Sequence, residues 1–277
     1  VPAGTPAGSY TINYKLCEKL NPTNCDNAVI TVNVAAAPIV ATDDAIPAVN
    51  GATGNATAGN AFAGDTINGQ QAATGNATLA VKTPASPINA GPVPSMNPAD
   101  GVISVPAGTP AGTYTIVYTL CEKLNPTNCK DATITVPVGA APIDAKDDNY
   151  TGINGATGNA NAGNVVTGTG TGSVADSLNG APTTLGNTLL SVVTPAAALP
   201  SAPLGAPVPV LDTATGTLVV PPGTPAGTYT ITYKLCEKLN PTNCDTAVAS
   251  VTVDPSPIVA TPDSYTGING GSGTPNA

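Results

Sequence analysis

Three stretches of the chain alternate apolar and polar residues with a period of two. In the first, Tyr10, Ile12, Tyr14 and Leu16 share one side, and Thr11, Asn13, Lys15 and Cys17 the other. After a short polar break, Ala28, Ile30, Val32 and Val34 resume the apolar side, with Val29, Thr31 and Asn33 opposite. Alternation of this kind predicts two strands with one buried face, joined as a hairpin. The break contains Asn21-Pro22-Thr23-Asn24, and Asn followed by Pro suits the first two positions of a type I turn. The third stretch keeps the phase, with Ala247, Ala249, Val251 and Val253 inward and Ser250 and Thr252 outward.

The hairpin is a repeat. CEKLNPTNC occurs three times without a change, at Cys17 to Cys25, Cys121 to Cys129 and Cys236 to Cys244. Each copy follows a TPAG(S/T)YTI segment, at Thr5, Thr109 and Thr224, and precedes a Val/Thr-rich run. The copies start 104 residues apart (Cys17 to Cys121) and then 115 apart (Cys121 to Cys236). Pro-Ile follows each run, at Pro38, Pro142 and Pro257, and marks a linker. The expected division is therefore the tail of one repeat (1–37), two complete repeats (38–141 and 142–256) and the head of another (257–277). The extra length of the second interval falls in Gly/Thr-rich sequence such as Thr167 to Ser173, where loops absorb insertions at low cost. Shorter strands are expected at Leu79 to Val81, Leu189 to Val193 and Thr217 to Val220. Many short strands with frequent turn signals predict an all-β fold of tandem immunoglobulin-like sandwiches in a linear series.

Composition supports strands over helices. Aromatics are 3% of the chain, with one Phe and no Trp, so small aliphatic residues must do most of the packing. Charged residues are 9%, against roughly 25% in an average domain. The net charge is −9, and all the basic residues are Lys. No basic cluster exists to neutralise phosphates, which argues against nucleic acid as a partner. No apolar run is long enough to span a bilayer as a helix. The first residue is Val, which is the expectation for an internal stretch of a longer precursor.

Within each hairpin the two cysteines share the outward parity. Residues on one face of adjacent strands lie close enough to bridge, which predicts Cys17–Cys25, Cys121–Cys129 and Cys236–Cys244 as local staples. Zinc is the competing chemistry, but its cysteine pairs are more tightly spaced and come with a second pair or His nearby, and the chain has no His. Disulfides imply an oxidising compartment.

With these residues in hand, the chain resembles the repeats of large surface adhesins of Bacteroidota, notably the SprB-type gliding-motility adhesins. The resemblance rests on the TPAGTYT and NPTNC segments, on Asp65-Thr66-Ile67-Asn68-Gly69 and Asp176-Ser177-Leu178-Asn179-Gly180, and on the Thr-Pro steps ending at Pro84 and Pro195. It implies serial immunoglobulin-like modules on the bacterial cell surface, exported and without catalysis. Asn50 to Asn55 and Asn154 to Asn159 depart from the family pattern; both read Asn-Gly-Ala-Thr-Gly-Asn and leave the early strand order open.

Catalytic chemistry finds no support: without His there is no Ser-His or Cys-His pair. Asp43, Asp44, Asp147, Asp148 and Asp263 follow the linkers, and with Asp65 or Asp176 they are candidate Ca²⁺ ligands; the alternative is solvated turns. Thr66, Ser177, Thr213 and Thr246 sit in Asp-(Ser/Thr)-aliphatic sequences that resemble Bacteroidota O-glycosylation acceptors. The expected function is the stalk of a long adhesin filament, bearing a tip or serving attachment and gliding, with neighbouring modules as partners. The alternatives are a multivalent polysaccharide-binding series and a self-assembling filament subunit.

Overall fold

A computed structural model describes residues 1–266, 270 and 271. The rest of the expected final repeat head, 267–269 and 272–277, lies outside the described residues. Among those described the structure is all-β, without a helix. The chain forms two compact units. The first holds Val1–Ile143, Leu178–Gly180 and Cys236–Cys244, and the second holds Asp144–Ser177, Ala181–Leu235 and Asp245–Ala277.

In the first unit, β1 (Gly8–Cys17) and β2 (Cys25–Val34) pair antiparallel. Then come β3 (Ile39–Val40), β4 (Asp44–Ala45), β5 (Val49–Asn50), β6 (Asn55–Asn60), β7 (Thr66–Ile67) and β8 (Gln70–Gln71). They are followed by β9 (Ala77–Thr83), β10 (Ser95–Met96), β11 (Val102–Val105), β12 (Gly112–Glu122) and β13 (Cys129–Gly139). One sheet runs β4–β13–β12–β9, with β5 also on β13, and the opposing sheet runs β10–β11–β6. β4 and β5 join β13 in parallel, while β12 and β13 pair antiparallel from Gly112↔Val138 to Cys121↔Cys129. Tyr114, Ile116, Tyr118 and Leu120 of β12 and Ala132, Ile134, Val136 and Val138 of β13 point into one core with Phe62, Met96, Ile103 and Val105. Each such large side chain contributes about 1.5–3 kcal/mol by leaving water. This is an immunoglobulin-like sandwich built from the predicted parity.

The second part of the chain repeats the plan. Its strands are β14 (Ile143–Asp144), β15 (Asp148–Asn154), β16 (Asn159–Asn164), β17 (Ser177–Leu178), β18 (Ala181–Pro182), β19 (Thr188–Thr194), β20 (Val210–Asp212), β21 (Thr217–Val220), β22 (Gly227–Glu237) and β23 (Cys244–Asp254). The sheets are β15–β23–β22–β19 and β16–β21–β20. Tyr229, Ile231, Tyr233 and Leu235 are buried, as are Ala247, Ala249, Val251 and Val253.

The first hairpin departs from the one-buried-face expectation. Its register is native, yet Tyr10, Ile12, Tyr14 and Leu16 are 40–71% exposed. Parity selects a face, but burial needs strands to cover it: in the second copy these come from residues 44–105, whereas β1 and β2 form a two-stranded sheet by themselves. The Asn-Gly-Ala-Thr-Gly-Asn stretches resolve as tight turns: Gly54 N–H bonds Asn50 C=O, and Gly158 N–H bonds Asn154 C=O, at 2.9 Å in both. Each turn leads into a strand, β6 or β16, that composition conceals. Gly51 and Gly155 are required there, since a Cβ would lie 2.0 and 2.1 Å from the carbonyl oxygens of Thr109 and Thr224. The extra residues near Thr167 to Ser173 are packed down rather than loose. Asn149 N–H bonds Gly172 C=O at 2.8 Å, beside a continuous β15 where the earlier repeat has the separate β4 and β5.

Candidate functional site

The structure closes all three staples: Cys17–Cys25, Cys121–Cys129 and Cys236–Cys244 are disulfides with Cα–Cα separations of 4.0–4.1 Å. Each loop is a β-turn over Asn-Pro-Thr-Asn, closed by an Asn24→Asn21, Asn128→Asn125 or Asn243→Asn240 N–H to C=O bond of 2.8–2.9 Å. Cys236 is buried at 7% exposure, so outward parity does not by itself expose a residue at a hairpin end.

The same loops hold a feature that parity reading missed. Glu18, Glu122 and Glu237 continue the inward side of their strands beyond Leu16, Leu120 and Leu235. In the second copy, Glu122 Oε2 accepts the Ala37 N–H (3.1 Å) and Asn128 Nδ2 (2.8 Å), while Asn128 Nδ2 also donates to Ala37 C=O (2.8 Å). Asn125 Oδ1 accepts the Ala7 N–H at 2.6 Å. Burial works against the Glu122 charge, but hydrogen bonds from Asn128, Asn125 and Ala37 outweigh it and hold the pKa below its ordinary value. The third copy repeats the pattern inside the first unit. Glu237 Oε2 accepts Ala141 N–H (3.2 Å) and Asn243 Nδ2 (2.8 Å), Asn243 Nδ2 reaches Ala141 C=O (2.6 Å), and Asn240 Oδ1 accepts Ala111 N–H (2.7 Å). Ala37 and Ala141 are the residues before the linker prolines, so the invariant nonamer is a clamp on the preceding linker. Its sequence signal was available: a charged residue on the apolar parity, identical in every copy.

The candidate aspartates separate into two roles. Asp43 and Asp147 accept the backbone N–H groups of Thr133 and Val248, each at 2.8 Å, and tie the linker-proximal segment to β13 and β23. Asp44 and Asp65 meet at Tyr118, whose hydroxyl donates to Asp65 at 2.8 Å and lies 3.3 Å from Asp44. Asp148 and Asp176 meet at Tyr233, within 3.3–3.4 Å. Asp65 Oδ1 and Asp176 Oδ1 also take the N–H of Thr42 and Lys146 at 2.7 Å. Desolvation pushes Asp44 and Asp148 up to about 6 and Asp176 up to about 7, with the neighbouring carboxylate adding to the rise at Asp44 and Asp176. Desolvation also raises Asp65. Burial favours the protonated form of these carboxyls, while the O–H and N–H donors around them act the other way and favour the charged form. Ca²⁺ takes six to eight oxygen ligands, and among the described residues no group of three acidic, Cys or His side chains is placed to hold a metal. Asp263 is exposed.

The Asp-Thr-Ile-Asn-Gly and Asp-Ser-Leu-Asn-Gly segments have a structural role as well. Asn68-Gly69 and Asn179-Gly180 all have positive φ, as the two-residue turns joining β7 to β8 and β17 to β18 require. Thr66 and Ser177 are half-buried in those strands, whereas Thr213 and Thr246 are exposed.

No protein family model matches the chain, and no curated protein sequence matches it. Solved structures similar to it include extracellular cadherin domains 3–6 of Protocadherin Gamma B2, at 12% identity and a TM-score of 0.31, covering 90% of this chain and 59% of that one. Mouse Cadherin-23 EC22–24 is 12% identical with a TM-score of 0.30, over 92% of this chain and 77% of that one. The human Desmocollin-1 ectodomain is 10% identical with a TM-score of 0.31, over 83% and 45%. The chain spans about three fifths of the length of the protocadherin fragment.

Proposed function

We propose that this chain is part of the stalk of a long extracellular adhesin, in which serial immunoglobulin-like repeats supply reach. The observation that carries the reading is the recurrent clamp: Glu122 with Asn128 on Ala37, and Glu237 with Asn243 on Ala141. A linker whose N–H and C=O are both bonded cannot swivel freely, and restricted swivelling is what a spacer needs. Repeating one clamp without change suits a part whose output is length. The three disulfides fit an oxidising compartment. The resemblance of the repeat to gliding-motility adhesins supports a bacterial surface and a role in attachment or gliding. Catalysis has no place in the reading. A polysaccharide-binding series is the alternative reading: the crevice of about 370 Å³ beside Glu122 has no aromatic ring in its lining, but the exposed Tyr10 and Tyr14 line two others.

Small-angle scattering on this chain and on versions lengthened by one and two repeats tests the proposal. A constant gain in maximum dimension per repeat is expected. A dimension that fails to grow, or saturable binding of the chain to a glycan array, would overturn it.

A further inference from the structure

Strands β9 and β19 hold the same place in their repeats, each running into a Thr-Pro step, at Pro84 and Pro195. Each ends its sheet: it is hydrogen-bonded to β12 or β22 on one side and, among the described residues, to no strand on the other. Such an edge carries a row of unpaired main-chain donors and acceptors, and a charged side chain guards it against another chain. β9 has that guard in Lys82, which is ion-paired with Asp131. β19, which reads Thr188-Leu189-Leu190-Ser191-Val192-Val193-Thr194, has neither a charge nor a Pro.

The change goes beyond one residue. Counted back from the Thr-Pro step, Thr78 and Lys82 of β9 give way to Leu189 and Val193 in β19. In the opposing sheets, the pairs Met96↔Ile103 and Leu211↔Leu218 align β10 with β20, and Ser95 gives way to Val210. Leu189, Val193 and Val210 are 44%, 53% and 52% exposed. Between β19 and β20 lies a crevice of about 220 Å³ lined wholly by apolar side chains, among them Val192, Val210 and the buried Ile231. One framework thus carries a polar edge in the earlier repeat and an apolar edge in the later one. β19 lies inside a complete repeat, and β9, with a complete repeat after it in the chain, is exposed at Thr78, Ala80, Val81 and Lys82. The openness therefore belongs to the edge itself.

We infer that β19 is a pairing site for β19 of a second copy of this chain. An open edge of N–H and C=O groups calls for extended main chain as its partner. The order of side chains selects the same strand, because it is matched to itself when reversed. Turned antiparallel about Ser191, Leu189 faces the partner copy's Val193, Leu190 faces its Val192, Thr188 faces its Thr194 and Ser191 faces its own counterpart. The exposed Leu189 and Val193 then meet on one face and the half-buried Leu190 and Val192 on the other, and no charge is brought into the contact. A slip of one residue sets outward side chains against inward ones, which fixes the register. The contact is two-fold and closes at a dimer. One pair of seven-residue strands falls at the low end of specific interfaces, so the association is weak and needs high concentration. The inference rests on the edge strand and does not depend on the stalk reading.

Sedimentation equilibrium of the whole chain, from micromolar to millimolar concentration, tests this alongside Val193→Lys, which installs the residue that β9 already carries at that place. Wild type is expected to show monomer and dimer without larger species, and Val193→Lys to weaken the association by about tenfold. Cross-linking reads the register. All the native cysteines are in disulfides, so an added thiol reports alone. Under mild oxidation Ser191→Cys should link to itself. Leu189→Cys alone should not, but should link when mixed with Val193→Cys. Wild type that stays monomeric at millimolar concentration would overturn the inference. So would a dimer that Val193→Lys leaves unchanged, which would assign it to another surface such as the exposed Tyr10, Ile12 and Tyr14 face. Leu189→Cys that links to itself as readily as Ser191→Cys would exclude the two-fold register.

Discussion

Replacing Asp176 by Asn tests whether the second unit stores a proton. Asp176 is fully buried and shares the Tyr233 hydroxyl with Asp148. The folded state keeps a proton on this carboxyl up to about pH 7, where the unfolded chain has released it near its ordinary value of 3.8. The group's folded pKa is raised, so its contribution is complete below about pH 4 and is lost as the pH climbs towards about 7. The full displacement sets a ceiling of about 4 kcal/mol. Water around the half-exposed Lys146 side chain, whose backbone N–H bonds Asp176, screens the site and brings the expectation to about 2 kcal/mol. Urea unfolding followed by the methyl resonances of Ile231 reads the second unit, and Ile116 reads the first. In wild type the Ile231 midpoint should fall between about pH 4.5 and pH 8. In Asp176→Asn that slope should shrink to the part that Asp148, raised to about 6, contributes, leaving the variant more stable than wild type at the alkaline end. Asp44, raised to about 6, gives the first unit a shallower slope of the same sign. A flat wild-type midpoint, or an unchanged slope in the variant, would refute the proton-sharing account.

Replacing Cys236 and Cys244 together by Ser removes a small closed loop and should cost about 2–3 kcal/mol in the chain-entropy picture, read as a lower urea midpoint. Asn240→Ala takes the acceptor from the Ala111 N–H and should cost about 1–2 kcal/mol, with faster hydrogen exchange at the Ala111 amide as its local signature. Gly155→Ala places a methyl against the Thr224 carbonyl and should destabilise the second unit by about 1–3 kcal/mol in calorimetry. Millimolar Ca²⁺ should leave the melting temperature unchanged, because the paired aspartates already face hydrogen-bond donors; a clear rise would make them cation ligands.

The hairpin was legible because it is local. Alternation from Tyr114 to Leu120 and from Ala132 to Val138 assigns the faces, and adjacent strands then place Cys121 opposite Cys129. The candidate site was legible only in part. Glu122 and Glu237 stood in plain view within the invariant nonamer, but their partners are the main-chain groups of Ala37 and Ala141, 85 and 96 residues upstream. Main-chain partners leave no side-chain signature. Asp65 and Asp176 read as candidate Ca²⁺ ligands or solvated turn residues, and only the folded sheet brings Tyr118 and Tyr233 against them.

By itself the sequence determined the strand type, the repeat, the buried parity of complete copies and the pairing of the cysteines. Those properties follow from side-chain order over neighbouring residues. Tertiary structure decided which faces are covered, which acids are buried and what the hairpin loop grips. The first hairpin shares the nonamer and the apolar parity of the other two, yet its apolar face and Glu18 are exposed. Burial and docking need a second surface, and a local pattern specifies only one of the two.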